Sequence, residues 1–376
     1  QEGRGWVMRM THRRVLSAFA LAAVFAVVAT ACSSNDNSGG STSGGGSFQG
    51  VAMTGAGSTL AQPMYQKWGQ SFLGVEPNAK INYQAIGSGG GIEQFTAKTV
   101  DFGATDVPLQ PDEISALNGA KYIEFPTVLA AVSIIYNVSG VQSGLQLDGT
   151  VISDIYMGKI KTWNDQAIAS LNPGTTLPNT PINVVYRADE SGTTAVFTGW
   201  LSVESSEWKS AVGEGKSVSW PTGKGANQSA GVAAAVKQTD GSISYVSYDF
   251  AVSAGLGVAS IKAPDGSYVA PSPDSITAAG AGLSFPVTPT TNILDSNSSG
   301  AYPLSSTTYV LIYSDQTNQD IAQTLVDFWT WSLTKGQSQA TSINYAPLPS
   351  SVAQGSLDQL KQINVNGTQV TASAGV

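Results

Sequence analysis

From Val51 onward the sequence predicts an α/β fold built on a largely parallel sheet. Three observations carry that prediction. Strand-like and helix-like segments alternate along the chain. One device, a strand, a polar turn of Gly, Ser and Thr, then a helix, recurs at Gly57-Ser58-Thr59, Gly87-Ser88-Gly89 and Ser191-Gly192-Thr193. A hydrophobic content of 41%, with 8 Trp, 13 Tyr and 11 Phe in 376 residues, supplies a large core and allows two or three domains.

The elements follow in order. Gln49 to Met53 leads into the polar turn Thr54 to Thr59. A helix over Ala61 to Phe72 is predicted by Met64, Trp68 and Phe72 at i, i+4 and i+8. Lys80 to Ile86 alternates apolar and polar residues, as a strand does. Gly87 to Gly91 reads as a tight turn, and Ile92 to Ala97 as a short helix. Val100 to Ala104 is a strand that ends at Thr105-Asp106. Pro and two acids open a helix over Pro111 to Leu117. Val128 to Tyr136, apolar and β-branched apart from Ser133, predicts a buried strand. Asp154 to Ile160 and Asp165 to Leu171 read as helices. Ile182 to Tyr186 is a strand running into Arg187 to Thr193, followed by a helix over Thr194 to Leu201. Ile321 to Leu333 is helical, with Ile321, Leu325 and Phe328 on one face. Trp329 and Trp331 cannot share a face two residues apart, which favours core over a stacking platform for sugars. No repeat of solenoid period is present.

Upstream of these elements lies a leader. Gln1 to Val7 reads as sequence before a start at Met8 or Met10. Arg9, His12, Arg13 and Arg14 form a positive region, and Val15 to Ala31 is uncharged and mostly apolar. The stretch ends in small residues before Cys32, so 1–31 has the tripartite pattern of a signal peptide. It is slightly short for a spanning helix. The end of the leader resembles the bacterial lipobox, which implies that Cys32 becomes a lipidated first residue. Ala29 stands where that motif prefers Leu. Ordinary cleavage nearby, with Cys32 lost or left as an odd thiol, is the alternative. Residues 32–47 then form a Gly/Ser tether with almost no apolar content.

The chain has one His and one Cys, His12 and Cys32, and both fall in or at the edge of this leader. The body beyond it therefore has no internal disulfide, no Cys-rich or His-cluster metal site and no His for a nucleophile triad. G-x-S-x-G, G-x-x-x-x-G-K-[ST] and the Ca-loop pattern are absent, and Gly55-Ala56-Gly57 does not continue to G-x-x-G. Asp101 with Asp106, or Asp189 with Glu190, matches no metal-ligand spacing; solvated or capping acids are the plainer reading. Of the 18 Lys and Arg, four precede Cys32, as does one of the 26 acids, which leaves a net charge of −11 from Cys32 on. No basic run lies outside the leader, so nucleic acid is not an expected partner.

Each of the three polar turns would place backbone N–H groups and hydroxyls at a helix N-terminus, where the dipole adds partial positive charge. Such a site binds anions without a basic surface, and in open α/β sheets it lies at the carboxyl ends of strands. Taken singly, each turn reads first as a helix cap. Three turns together with Arg187 favour an anion site.

The motifs Thr54-Gly-Ala-Gly-Ser-Thr59, Tyr83-Gln-Ala-Ile-Gly-Ser-Gly-Gly-Gly91, Val100-Asp-Phe-Gly-Ala-Thr-Asp106, Asp154-Ile-Tyr-Met-Gly-Lys-Ile-Lys-Thr-Trp163 and Arg187-Ala-Asp-Glu-Ser-Gly-Thr193 resemble those of the phosphate-binding receptors of bacterial ABC phosphate transporters. Ser305-Ser-Thr-Thr-Tyr309 and Tyr345-Ala-Pro-Leu-Pro349 match too, so the resemblance runs from about Ala52 to about Ile363.

It implies a two-lobed periplasmic-binding-protein-like fold of type II, with the ligand cleft between lobes joined by two crossing strands. Lobe one would comprise 48–130 and 301–376, and lobe two 131–300. Val128 to Tyr136 would include the first crossing; no periodicity marks the second. The implied function is extracytoplasmic capture of inorganic phosphate by a lipid-anchored monomer, with hinge closure and delivery to ABC permease subunits. No cofactor and no catalysis are implied. A receptor for another oxyanion, a phosphate sensor, and a phosphatase-like enzyme on the same scaffold are the alternatives.

Carried over residue by residue, Thr59, Leu60 and Ser88 would donate to phosphate, and Asp106 would sit at the third turn. Arg187, Ser191, Gly192 and Thr193 would close the site from the other lobe. Asp189 would orient Arg187. Leu60 stands where the family often has Phe, Gly89 where Ser is common, and Glu190 where Gly is common. Lys159, Lys161 and Trp163 match the family as structural residues. Phosphate near neutral pH keeps a proton and sulfate does not, so a carboxylate aimed into the site accepts a hydrogen bond from one and repels the other. A site built around a hydroxyl rejects an analogue lacking it by ~10⁴–10⁵. Arg187 offers a planar fork that suits phosphate.

Overall fold

The main sheet has nine strands, of which β4 is the longest and runs through its centre. The strands are β1 (Met53–Gly57), β2 (Ile81–Gln84), β3 (Phe102–Thr105), β4 (Tyr122–Asn137), β5 (Asn183–Arg187), β6 (Lys224–Ala226), β7 (Ser242–Ser247), β8 (Gly257–Val258) and β9 (Ser305–Tyr313). They form one curled sheet in the order β2-β1-β3-β9-β4-β7-β5-β6, with β8 also paired to β4. The structure is a computed structural model that describes residue 48, residues 50–287 and residues 293–376. The signal-peptide, Cys32 and tether assignments lie outside the described residues. Among those described, no helix is long and apolar enough to cross a membrane.

The expected largely parallel sheet is corrected to a mixed one. β1 runs parallel to β2 and β3, and β5 runs parallel to β6 and β7. The centre is antiparallel, because β9 pairs with β3 and β4, and β4 pairs with β7 and β8. A strand that leaves one βα wing and enters another reverses direction there, which period-based reading cannot show.

β4 pairs with β9 as far as Ala131 and with β7 from Val132. That change of partner divides the sheet into two lobes. The second connection passes through 301–305 beside it, where Val132 N donates to Leu304 O at 2.9 Å and Tyr302 Oη donates to Val132 O at 3.1 Å. β4 begins six residues before the expected Val128, because Glu124, Pro126 and Thr127 interrupt the apolar run. Its pairing with β9 absorbs a bulge at Thr308/Tyr309, opposite Pro126.

Several boundaries also move, always to where a cap or a close approach sets them. β1 includes most of the expected turn. Gly55 lies flat against the Phe102 ring, where a Cβ would come within 2.0 Å. The second helix is Ser88–Thr96, starting inside the glycine run. A Cβ on Gly91 would meet Gly57 Cα at 2.3 Å, so these glycines let the helix sit on β1. The helix expected from Asp154 is instead Gly149–Tyr156, capped by Asp148, whose Oδ1 accepts from Val151 N at 2.9 Å. The expected helix at Thr194 is Gly192–Glu204 with Ser191 as its cap. The helix Gln319–Leu333 is capped by Asn318.

Apolar packing follows the lobes. In the first, Trp329 meets Tyr65, Phe102 and Phe125 edge-on, and Trp331 packs on Phe72. Both Trp are core residues. In the second, Trp220 stacks with Tyr186 and Phe197 with Tyr245. Trp163 is buried there and donates from Nε1 to Gly241 O at 2.9 Å. Lys159 pairs with Asp154 and Glu207 at the lobe surface.

Candidate functional site

The carboxyl ends of β1, β3 and β5 converge where the lobes meet. Two helix N-termini, those of Ser88–Thr96 and Gly192–Glu204, point into the same place, one from each lobe. The site therefore collects orphan N–H groups from both sides.

Asp106 follows β3 and is 2% exposed. Its Oδ1 accepts from Ser58 Oγ, in its own lobe. Its Oδ2 accepts from Thr193 Oγ1 of the other lobe at 3.3 Å. Its backbone N donates to Ser88 Oγ at 3.3 Å. Burial pushes its pKa up to about 6, although Ser58, Arg187, Thr193 and Lys216 all pull it down. Two hydroxyl donors, one from each lobe, and the charges of Arg187 and Lys216 thus favour the carboxylate form.

Arg187 ends β5 and is buried. Its Nε donates to Asp189 Oδ1 at 2.7 Å and Nη2 to Asp189 Oδ2. This leaves Nη1 facing the first lobe, where it donates to Thr59 Oγ1 at 3.1 Å. Asp189 is fixed in turn by Gln228 N, which donates to its Oδ1 at 3.0 Å. Burial works to raise Asp189, but the hydrogen bond and charge of Arg187 outweigh it and hold the carboxyl below the usual range. The guanidinium is held by a fork-to-fork pair, with one N–H edge free to serve the site.

Ser191 accepts from Thr194 N at 3.2 Å as the helix cap, and its own N donates to Lys216 O at 2.9 Å. Gly192 sits where a Cβ would meet Ser88 Oγ at 2.4 Å and Asp106 Oδ2 at 2.7 Å. Only glycine lets the two lobes approach this closely. Leu60 is buried in the core of the first lobe, and its carbonyl accepts from Tyr345 Oη at 2.6 Å. Its side chain is held away from the polar groups. All eight expected contact residues and Asp189 therefore lie in this one region.

The two departures at Gly89 and Glu190 turn out to be neighbours. Gly89 N donates to Glu190 O at 3.1 Å across the lobes, and a Cβ at 89 would fall 2.4 Å from both Glu190 Cβ and Oε2. The larger residue on one side requires the smaller one on the other. The Glu190 side chain lies over the start of the Ser88–Thr96 helix, where the dipole favours a carboxylate.

Sequence reasoning missed Ser229, whose Oγ shares a 2.7 Å hydrogen bond with Thr59 Oγ1 across the lobes. It also missed Tyr245, whose Oη accepts from Arg187 N at 3.2 Å and shares a 2.7 Å bond with Thr194 Oγ1. A signal for Ser229 exists, in Asn227-Gln228-Ser229 just before an apolar helical run; none marks Tyr245 within its strand. Among the described residues no group of three metal-ligating side chains clusters.

Known proteins are similar to this chain over most of its length. A family model described as the PBP superfamily domain matches residues 34–335. A phosphate-binding protein PstS of Pasteurella multocida is 38% identical over 81% of this chain and 89% of its own length. That of Haemophilus influenzae is 37% identical over 81% of this chain and 91% of its own. Among solved structures, the phosphate binding protein of Stenotrophomonas maltophilia superposes with a TM-score of 0.65 at 20% identity, over 82% of this chain and 93% of that one. A human phosphate binding apolipoprotein does so at 0.68 and 20%, over 85% and 100%. At that identity the structures speak for the fold, which is the two-lobed type II arrangement.

Proposed function

This chain belongs to the phosphate-binding proteins of the PBP superfamily, and from that premise we propose that it captures inorganic phosphate outside the cytoplasm and delivers it to an ABC import permease. The observation that carries the reading is Asp106, an acceptor placed among donors contributed by both lobes.

In this reading phosphate replaces the hydrogen bonds that the lobes make to one another. Arg187 Nη1 turns from Thr59 to a phosphate oxygen. The Thr59, Ser88, Ser191 and Thr193 hydroxyls, with backbone N–H groups from Leu60 to Gly192, satisfy the remaining lone pairs. Asp106 takes the proton that phosphate retains. A buried anion is tolerated in a net-negative protein when local donors meet each of its oxygens. Sulfate offers Asp106 only lone pairs, so the same carboxylate that holds phosphate excludes it. The division at Ala131/Val132 supports lobes of 48–130 with 301–376 against 131–300, which close by a hinge.

The protein acts by binding, not by catalysis, as a monomer tethered through a lipid on Cys32 and the 33–47 segment. Cleavage of the leader removes His12 and leaves a body without histidine. Calorimetry with phosphate, arsenate and sulfate tests the central point. Tight phosphate and arsenate binding with sulfate far weaker is expected; equal affinity for sulfate would refute the role given to Asp106. A Cys32→Ala variant should leave the membrane fraction, and a chromogenic phosphate ester should not turn over.

A further inference from the structure

Lys216 belongs to the second lobe, yet its ammonium reaches the first. Its Nζ donates to Glu113 Oε1 at 2.5 Å, with the lysine side chain 9% exposed and the glutamate 18%. Among the described residues the other ion pairs stay within one lobe: Lys121 with Asp315, Lys159 with Asp154 and Glu207, Arg187 with Asp189, and Lys361 with Asp358.

Both ends of the pair are fixed. Glu113 Oε2 accepts from Gln110 N at 2.8 Å, which closes the capping box of the helix Pro111–Ala116. The Lys216 carbonyl accepts from Ser191 N at 2.9 Å, so the lysine is one hydrogen bond from the turn that caps the Gly192–Glu204 helix. Lys216 and Asp106 line the same cavity, of about 490 Å³, together with Gln110, Glu214 and Ser306. Lys216 does not reach the Asp106 carboxylate with a hydrogen bond, but its charge acts on it, and on Glu124.

We propose that Lys216 and Glu113 form an interlobe latch that sets phosphate affinity by holding the lobes closed, without either residue touching the anion. The proposal rests on the reading of this protein as a phosphate receptor that closes around its ligand. When only the closed form holds phosphate tightly, apparent affinity scales with the fraction closed. A half-buried pair held at both ends loses little side-chain freedom on closing, and it is screened less than an exposed one.

A rival account is that Lys216 simply adds positive field to an anion site. The two accounts differ in sign at Glu113. Removing that negative charge should tighten anion binding if only the field matters, and should weaken it if the pair is a latch. Glu113→Gln keeps the capping acceptor and the fold of the helix.

The test is a double-mutant cycle of Glu113→Gln and Lys216→Met, read by phosphate calorimetry and stopped-flow dissociation, with thermal melts to confirm folding. Each single variant should bind phosphate about five- to tenfold more weakly, mainly through faster release. Glu113→Gln should have no further effect in the Lys216→Met background. Wild-type or tighter binding by Glu113→Gln, or additive losses in the double variant, would overturn the latch. Failure of the wild-type protein to bind phosphate would instead overturn the receptor reading itself.

Discussion

Asp106 and Glu76 are two carboxyl groups with the same exposure, 2% each, and burial pushes both up, to about 6 and about 8. Their surroundings are opposite. Asp106 accepts from Ser58 and Thr193 and lies in the field of Arg187 and Lys216. Among the described residues no donor reaches either oxygen of Glu76, and its neighbour is another acid, Asp327. Asp327 already holds Ser373 N at 2.6 Å, Ser373 Oγ at 2.7 Å and the Gln323 amide. Burial alone therefore does not mark a site. The donors and cations around Asp106 favour its charged form, whereas burial and the neighbouring Asp327 favour the neutral form of Glu76.

The largest effect is expected where that distinction is removed. Asp106→Asn offers either a carbonyl or an amide N–H to the ligand, so it ceases to penalise sulfate. The phosphate-to-sulfate preference should fall by roughly 10²-fold or more, against the ~10⁴–10⁵ available to a site built around a hydroxyl. The wild-type preference should itself decline as pH falls through about 6, where Asp106 takes up a proton and becomes a donor. Titration of both anions against both proteins at pH 5 and pH 7.5 reads each change, and an unchanged ratio would break the contrast.

Arg187→Ala comes next. It removes the cationic edge facing Thr59 and leaves Asp189 without its partner, so both phosphate and sulfate should weaken by on the order of 10²-fold. The ratio between them should stay near its wild-type value, because the arginine does not distinguish a protonated oxygen from a bare one. A selective loss of phosphate would move the discriminating role away from Asp106.

A smaller effect sits at the rim. Gly89→Ser pushes a Cβ into Glu190 and should weaken phosphate about tenfold by holding the lobes apart. Gly89→Ser with Glu190→Gly should recover most of that loss. If the double variant binds as poorly as the single one, the two positions are not coupled through contact.

These cases also show what the sequence made legible. The hydroxyls of Thr59, Ser88 and Thr193 lie in polar turns between strand and helix, a local signal, and Asp106 and Arg187 sit at the ends of runs with strand character. The antiparallel centre of the sheet does not follow, because strand direction depends on connections such as 301–305 that carry no periodic signal. Ser229 reaches the site across the lobes at a sequence distance of 170 from Thr59, and Lys216 at 103 from Glu113, so neither pairing has a local trace. Glu76 is the sharpest case, since nothing in Val75-Glu76-Pro77 distinguishes a buried neutral acid from a solvated turn residue. Packing against Gly50, where a Cβ would lie 2.5 Å from Glu76 Oε2, decides it.

Glu76→Gln separates the two acids without touching the ligand. Glu76 has a folded pKa of about 8, against an ordinary carboxyl value of 4.5 in the unfolded chain. Between those values the folded protein binds the extra proton, so stability falls as pH rises from about 4.5 through about 8 and is level above that. Glu76→Gln keeps the size of the group and a donor to Asp327 at every pH. It should match the wild type near pH 4.5 and exceed it at pH 9 by on the order of 2 kcal/mol, with relaxation of the charged group's surroundings limiting the full electrostatic gain. Urea denaturation at pH 5, 7 and 9 measures the divergence, and phosphate affinity at pH 7.5 should remain that of the wild type. Parallel stability curves for the two proteins would mean that Glu76 is charged in the fold. In that case its neutrality would no longer distinguish it from the carboxylate at the site.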